Sequence, residues 1–117
     1  MDVAKFQLLI ADIYGQKDAA RGLAWTFAWL VEEVGELGAA LRNLDAVRRT
    51  GRPESRKLAT AADVDRNLRE EFADVLAWLV TLANMNGVDL EEALRGKYPG
   101  TCIKCGNTPC ACKEGAA

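Results

Sequence analysis

An acidic eight-residue pattern occurs twice in this chain. Residues 30–37 read LVEEVGEL and residues 68–75 read LREEFADV, with the same order of apolar, acidic and small positions and a constant offset. The apolar positions recur at spacings of three and four residues, which is the period of an amphipathic helix. The repeat therefore predicts two long helices of the same design, and the rest of the fold must be built around them.

The composition limits the size and the class of the protein. With 117 residues, half of them hydrophobic, the chain has room for one domain with a small core. A net charge of −2 gives no basic field for general nucleic-acid binding. Charged residues interrupt residues 1–20, so neither a signal peptide nor a membrane span fits them, and we expect a cytoplasmic protein without a membrane partner.

Histidine is absent from the sequence. This excludes Ser-His-Asp and Cys-His nucleophiles, zinc bound by histidine, and the Glu-x-x-His sites of ferritin-like bundles. Acid–base chemistry in this chain must use carboxylates, lysines or water bound to a metal.

The apolar periodicity predicts four helices. The first runs from Val3 to about Tyr14, the second from Leu23 to about Val47 and the third from Asp63 or Asp65 to about Met85, and Asp89 caps a short fourth. Residues 15–22, between two glycines, are predicted to form a polar link, and residues 48–62 a solvated connection without chemistry. No segment alternates like a strand, so we expect an all-α bundle of three longer helices and one short helix.

The two long helices carry wide apolar stripes. They include Phe27, Leu30, Val34, Leu37, Leu41 and Leu44 on the first acidic helix, and Leu68, Phe72, Val75, Leu79, Leu82 and Ala83 on the second. A single small bundle would bury such stripes more completely by self-association. We therefore expect a homodimer or a homotetramer.

The acids of both helices lie beside these stripes. At about 100° per residue, with Leu30 at 0°, Glu33 lies near −60° and Glu36 near −120°. Measured from Leu68, Glu71 and Asp74 take the same two positions. Glu32 and Glu70 point away. Each helix thus carries one pair of carboxylates, three residues apart, on the same shoulder of its stripe.

Half-buried carboxylates repel one another and lose hydration, so this arrangement calls for a counter-ion. An isolated pair of acids at helical spacing is usually only a solvated face. Duplication on matching shoulders favours a shared site if the helices pack antiparallel. Four carboxylates would form a hard, all-oxygen site suited to Mg²⁺ or Mn²⁺.

Glu33-x-x-Glu36 followed by Glu71-x-x-Asp74 resembles the signature of the MazG-like all-α nucleoside triphosphate pyrophosphohydrolases. The words LVEEVGEL and EEFADVLAWLVTLANMNGVDLEEAL extend the resemblance over about residues 3–97. It implies that residues 1–97 are a catalytic domain whose four carboxylates bind Mg²⁺. The implied reaction is hydrolysis of a (deoxy)nucleoside triphosphate to its monophosphate and pyrophosphate, for control or cleansing of the nucleotide pool.

Several other side chains are candidates to bind such a substrate. Trp25 and Trp29 could stack on a base, although tryptophans at this spacing are more often core or interface, and Asn84 offers an amide. Outer phosphates need cations, for which the candidates are Lys5, Lys17, Arg21 and Lys97.

The four cysteines all lie in the tail, residues 98–117, as C-x-x-C and C-x-C separated by a short turn. Four thiolates fit one tetrahedral Zn²⁺ with no open position, so we expect a structural zinc knuckle. Disulfides or redox thiols are the rival interpretation. If the acids hold only a structural cation, the protein would instead be a non-catalytic oligomeric module that binds protein or RNA through its knuckle. The zinc ligands would be Cys102, Cys105, Cys110 and Cys112.

Overall fold

A computed structural model describes residues 1–113 as four helices, with no strand among these residues. They are α1 (Val3–Arg21), α2 (Leu23–Thr50), α3 (Ala61–Met85) and α4 (Leu90–Lys97). Helices α2 and α3 form the main pair, α1 packs against α3, and α4 packs against α1. The all-α prediction is confirmed. No helix in residues 1–113 is long and apolar enough to cross a membrane. Residues 114–117 of the predicted tail lie outside the described part.

Helix α1 is longer than the sequence predicts, and the expected polar link at residues 15–22 is wrong. The helix continues through Gly15 to Arg21, and Gly22 ends it with a φ of 86°, a left-handed value that favours glycine. Asp18 is buried in this last part of the helix and pairs with Arg21 at 3.0 Å. An interior glycine costs a helix only about 1 kcal/mol relative to alanine, and burial against α3 offsets that cost.

Capping residues define several of the other helix ends. Gly51, which follows the last residue of α2, caps that helix with a left-handed φ of 80°. Thr60 and Asp63 form a capping box at the start of α3: Thr60 Oγ1 accepts from the Asp63 amide at 3.1 Å, and Asp63 Oδ2 accepts from the Thr60 amide at 3.0 Å. The predicted cap of α4 is confirmed, because Asp89 Oδ1 accepts from the Glu92 amide at 3.1 Å.

Helices α2 and α3 run antiparallel. Trp29 stacks on Trp78, with ring centroids 6.3 Å apart and planes inclined by 18°. Further along α2, Glu36 lies beside Glu71, which comes earlier in α3 than Trp78. Residues with increasing numbers along α2 therefore contact residues with decreasing numbers along α3. This direction brings the two acidic patterns to the same level of the bundle.

The seam between α2 and α3 does not follow the predicted stripes. Helix α2 buries Thr26, Ala40, Asn43 and Ala46, none of which belongs to its predicted stripe. Within a single chain the stripe is only partly covered: Phe27 is 57% exposed and Phe72 is 54% exposed. The small residues of the seam let the two acidic shoulders face one another. Part of each stripe is left on the surface of the α2–α3 pair.

Candidate active site

Three of the four predicted metal ligands meet between α2 and α3. Glu33, Glu36 and Glu71 each offer a carboxylate oxygen, and these three atoms lie within 4.8 Å of one another. Asp74, one turn further along α3, stands beside this group and acts electrostatically on both Glu33 and Glu71. The antiparallel packing thus places all four acids in one cluster, with Asp74 at its edge.

Two oxygens of this cluster are buried without a hydrogen-bond partner in the described chain. They are Oε2 of Glu33 and Oε2 of Glu71. Loss of hydration, followed by the negative charges of Glu36 and Asp74, raises the pKa of Glu33 to about 7. Burial and Glu36 likewise raise the pKa of Glu71. Buried acceptors normally have a partner, so these oxygens fit the donor set of a bound cation.

The chemistry of the donors suits a hard divalent ion. Every ligand atom is a carboxylate oxygen, which Mg²⁺ and Mn²⁺ prefer over softer donors. Asn67 supports the cluster from the neighbouring turn of α3, since its Nδ2 lies 3.5 Å from Glu71 Oε1. Glu32 and Glu70, the first acid of each repeated pattern, are exposed. The residues present therefore fit the divalent metal that their pattern implies.

A cavity of about 300 Å³ lies beside the carboxylates, between α1 and α3. Lys17 and Arg21 from α1 and Asp74 and Trp78 from α3 contribute to its walls. The guanidinium of Arg21 stands 4.6 Å above the Trp78 ring. Two of the cations predicted for phosphate binding thus lie next to a predicted metal ligand.

A larger cavity, of about 500 Å³, lies on the other side of the cluster. Glu36 and Glu71 form part of its wall, together with Arg42 and Lys57. Residues 51–60 close it, because the Ser55 amide donates to Asn43 Oδ1 at 2.9 Å. The sequence interpretation assigned this connection no chemistry. Asn43, a polar residue two turns after Glu36 on the same face, was the signal that could have located it.

Known proteins match this chain in the region that builds the cluster. The model of the MazG nucleotide pyrophosphohydrolase domain matches residues 22–98, more than half of the chain. The chain belongs to the MazG family. The MazG match includes α2, α3 and α4 with all four acids, and it ends before the first cysteine. The resemblance noted from the acidic motifs is confirmed.

A curated relative also matches part of this chain. The uncharacterized protein YvdC of Bacillus subtilis (strain 168) is 36% identical over 67 residues, which are 57% of this chain. The chain spans 60% of the length of that relative. The MazG match therefore supplies the family, and YvdC adds no activity to it.

The remaining substrate candidates are spread over the molecule. Trp25 is 69% exposed in the first turn of α2, and Trp29 stacks on Trp78. Asn84 Nδ2 donates to the Gln7 carbonyl at 3.2 Å, which ties α3 to α1. Lys97 is exposed in the last turn of α4. Lys5, also exposed, lies in the first turn of α1.

The four cysteines form a second cluster after α4. They are unpaired thiols, and their four Sγ atoms all lie within 4.8 Å of one another. The separation of Sγ atoms is 3.7 Å between Cys102 and Cys112, 3.5 Å between Cys102 and Cys110, and 4.0 Å between Cys105 and Cys110. A tetrahedron with metal–sulfur bonds of about 2.3 Å has edges of about 3.8 Å. The spacing therefore fits a four-thiolate metal site.

Hydrogen bonds from backbone amides favour the thiolate form of Cys105. The Ala111 amide donates to Cys105 Sγ at 3.3 Å, and this bond is the main reason that the pKa of Cys105 is lowered to about 6. Gly106, which follows, has a left-handed φ of 74° and donates to the Cys102 carbonyl at 2.7 Å. This backbone bond closes the turn after C-x-x-C and holds Cys102 and Cys105 in the same turn.

Proposed function

We propose that the protein is a Mg²⁺-dependent pyrophosphohydrolase that converts a (deoxy)nucleoside triphosphate to its monophosphate and pyrophosphate. The observation that carries the proposal is the pair of buried, unpartnered oxygens of Glu33 and Glu71 in the cluster that they form with Glu36, beside Asp74. Family membership supports a nucleotide as the substrate of this cluster. The biological role would be control or cleansing of the nucleotide pool in the cytoplasm.

The four acids, Glu33, Glu36, Glu71 and Asp74, would hold the metal. When bound, Mg²⁺ offsets phosphate charge and makes a bound water more acidic, which is the chemistry that attack at phosphorus requires. The chain itself supplies rigid positioning, since the acids project from two packed helices. It also supplies cations on both sides of the cluster, with Lys17 and Arg21 in one cavity and Arg42 and Lys57 in the other.

The proposal is tested with a panel of canonical and modified ribo- and deoxyribonucleoside triphosphates and Mg²⁺. We expect at least one of them to yield monophosphate and pyrophosphate in equal amounts. Glu36→Gln and Asp74→Asn should lower kcat/KM by at least about 100-fold, the scale on which removal of one charge-stabilising group acts.

The repeated pattern offers matched controls, because Glu32→Gln and Glu70→Gln remove exposed acids from the same two segments. These variants should stay near wild type. Hydrolysis of no triphosphate in the panel would refute the proposal and favour the non-catalytic module. Full activity in both Glu36→Gln and Asp74→Asn would refute the ligand assignment.

We also propose that the cysteine cluster binds Zn²⁺, and that the zinc is structural because four thiolates leave no coordination position for a substrate. Self-association completes the proposal. The exposed apolar stripes of α2 and α3 support a homodimer or homotetramer.

A further inference from the structure

Arg21 lies beside the carboxylate cluster but pairs with an acid outside it. Arg21 and Asp74 line the same cavity between α1 and α3, and the guanidinium stands 4.6 Å above the ring of Trp78. Trp78 follows Asp74 by one turn of α3, a spacing at which side chains are neighbours. The ion pair of Arg21 is nonetheless with Asp18, at 3.0 Å, and in residues 1–113 no ion pair joins Arg21 to Asp74. A cation close to a proposed metal ligand is thus held by another carboxylate.

Asp18 is far more buried than the acid of an ordinary surface ion pair. Only 4% of this residue is exposed, and no residue of the described chain donates to its buried Oδ2. Arg21 Nη1 donates to Oδ1, which compensates only part of the hydration that the carboxylate loses. Because water screens a buried charge poorly, Asp18 attracts Arg21 more strongly than an exposed acid at the same distance would.

Two further contacts fix the position of the guanidinium. Arg21 Nη1 also donates to Thr26 Oγ1 at 3.2 Å, and Thr26, near the start of α2, is fully buried. Thr26 Oγ1 in turn donates to the Gly22 carbonyl at 2.8 Å. The ring of Trp78 adds a cation–π contact from α3. Residues from three helices therefore determine where this one cation lies.

The position of this cation matters for the proposed metal site. Mg²⁺ binds carboxylate oxygens, and its affinity depends on their negative charge. A guanidinium paired with Asp74 would occupy those oxygens through two parallel hydrogen bonds and offset their charge. Because arginine stays protonated in proteins, this competition would persist at every physiological pH. Tight metal binding therefore requires that Arg21 be held away from Asp74.

We propose that Asp18 is a positioning residue that keeps Arg21 from pairing with Asp74 and so leaves Asp74 available to the metal. Asp18 is buried and acts through Arg21, without contact to metal or substrate. The inference rests on the proposed function, since it assumes that the carboxylates bind Mg²⁺. It gives a role in metal binding to a residue of α1, which precedes the segment that matches the family model.

The first test measures the dissociation constant of Mn²⁺, a paramagnetic probe of the Mg²⁺ site, without nucleotide. Asp18→Asn removes the charge of Asp18 and keeps its shape, so Arg21 is no longer held away from Asp74. We expect the dissociation constant to rise by about 10- to 100-fold, as when an outer group that orients metal ligands is lost. Asp12→Asn removes an exposed acid of the same helix and should bind Mn²⁺ as wild type does. Circular dichroism verifies that each variant is folded.

A double-mutant cycle shows whether the effect passes through Arg21. Arg21→Gln removes the competing cation and should bind Mn²⁺ at least as tightly as wild type. Asp18→Asn combined with Arg21→Gln should bind like Arg21→Gln alone, because no cation is left for Asp18 to restrain. A direct electrostatic effect of Asp18 on the metal would instead give the same loss in both backgrounds. That result would overturn the proposal.

A second pair of variants leaves Asp18 in place and decides the question if Asp18→Asn does not fold. Thr26→Val keeps the shape of the side chain but cannot accept from Arg21. We expect weaker Mn²⁺ binding by about 3- to 10-fold, the effect of one hydrogen bond. Thr26→Ser retains the hydroxyl and should bind normally. Unchanged binding in Thr26→Val, or an equal loss in both variants, would then overturn the proposal.

Metal binding also separates failure of this inference from failure of the proposed function. If wild type binds Mn²⁺ in competition with Mg²⁺, and Asp18→Asn binds it equally well, only the positioning role is wrong. If wild type binds neither ion, this inference falls, and hydrolysis of triphosphates by the wild type then decides the proposed function on its own.

Discussion

Within the carboxylate cluster, the ionised form of Glu33 is strongly disfavoured. Its Oε2 is buried without a partner, and burial beside Glu36 and Asp74 raises its pKa to about 7. In the unfolded chain the pKa returns to its ordinary value of about 4.5. The folded protein therefore holds a proton on this group over a pH range in which the unfolded chain has lost it.

This difference in bound protons makes the stability of the metal-free protein depend on pH. Between about pH 4.5 and pH 7 the folded state binds more protons, so the free energy of unfolding of the metal-free protein falls as the pH rises. The Mg²⁺ proposed for this site would bind the deprotonated acids and should restore stability most strongly above about pH 7. Thermal melts at about pH 5 and about pH 8, with and without Mg²⁺, measure both effects.

Glu33→Gln should abolish most of this pH dependence, whereas Glu32→Gln should keep it, because Glu32 is exposed. Identical pH profiles for wild type and Glu33→Gln would show that burial of Glu33 does not control stability.

At the scale of the element, the start of α3 is stabilised by hydrogen bonds between residues that are close in sequence. Thr60 and Asp63 satisfy each other's backbone amides in a capping box. Thr60→Ala removes the side-chain acceptor and should lower the free energy of unfolding by about 1 kcal/mol. Chemical denaturation measures this change. Thr60→Ser retains the hydroxyl and should be nearly neutral, so an equal loss in both variants would contradict the capping role.

The cysteine segment is a second independent element, because its sulfurs already have the spacing of a tetrahedral site. After extensive dialysis the purified protein should retain about one zinc per chain by elemental analysis. Cys105→Ser should lose the zinc, while circular dichroism of the four helices should stay unchanged. Zinc-free wild type with no reactive thiols would instead support disulfides.

Local signals predicted most of these elements, and tertiary contacts decided the rest. The starts of α2 and α4, the end of α3 and the face that carries the acids followed from periodicity and caps. The true end of α1 could not be predicted, because a polar segment between glycines becomes helical only when Asp18 is buried and paired with Arg21. The cavity beside Asn43 was missed for the same reason, since it exists only where residues 51–60 fold back onto α2.

At the scale of the whole molecule, one broad surface of the α2–α3 pair remains apolar. The two stripes are displaced in the same direction from the acidic shoulders, so antiparallel packing puts both on one face. Phe27 and Phe72 are each more than half exposed there. Periodicity located an apolar stripe on each helix, but it could not predict that the seam between α2 and α3 would run beside the stripe of α2.

This surface predicts self-association that can be weakened at a single position. Phe72→Glu places a charge on the apolar face and should weaken association by about 30-fold or more, as removal of an aromatic interface residue does. Size-exclusion chromatography with light scattering over a range of concentrations measures the effect. Leu8→Glu changes an exposed residue of α1 and is the control. A wild-type monomer at every concentration would refute the prediction.

The junction between α1 and α2 consists of a single residue, Gly22, whose φ of 86° turns the chain without a loop. Because no loop separates the two helices, this one residue sets the orientation of α1 relative to α2. An insertion at this position would change the orientation of α1 relative to α2 and would move Lys17 and Arg21 relative to the acids of α2. Changes of length between α1 and α2 should therefore separate the cations of α1 from the carboxylate cluster.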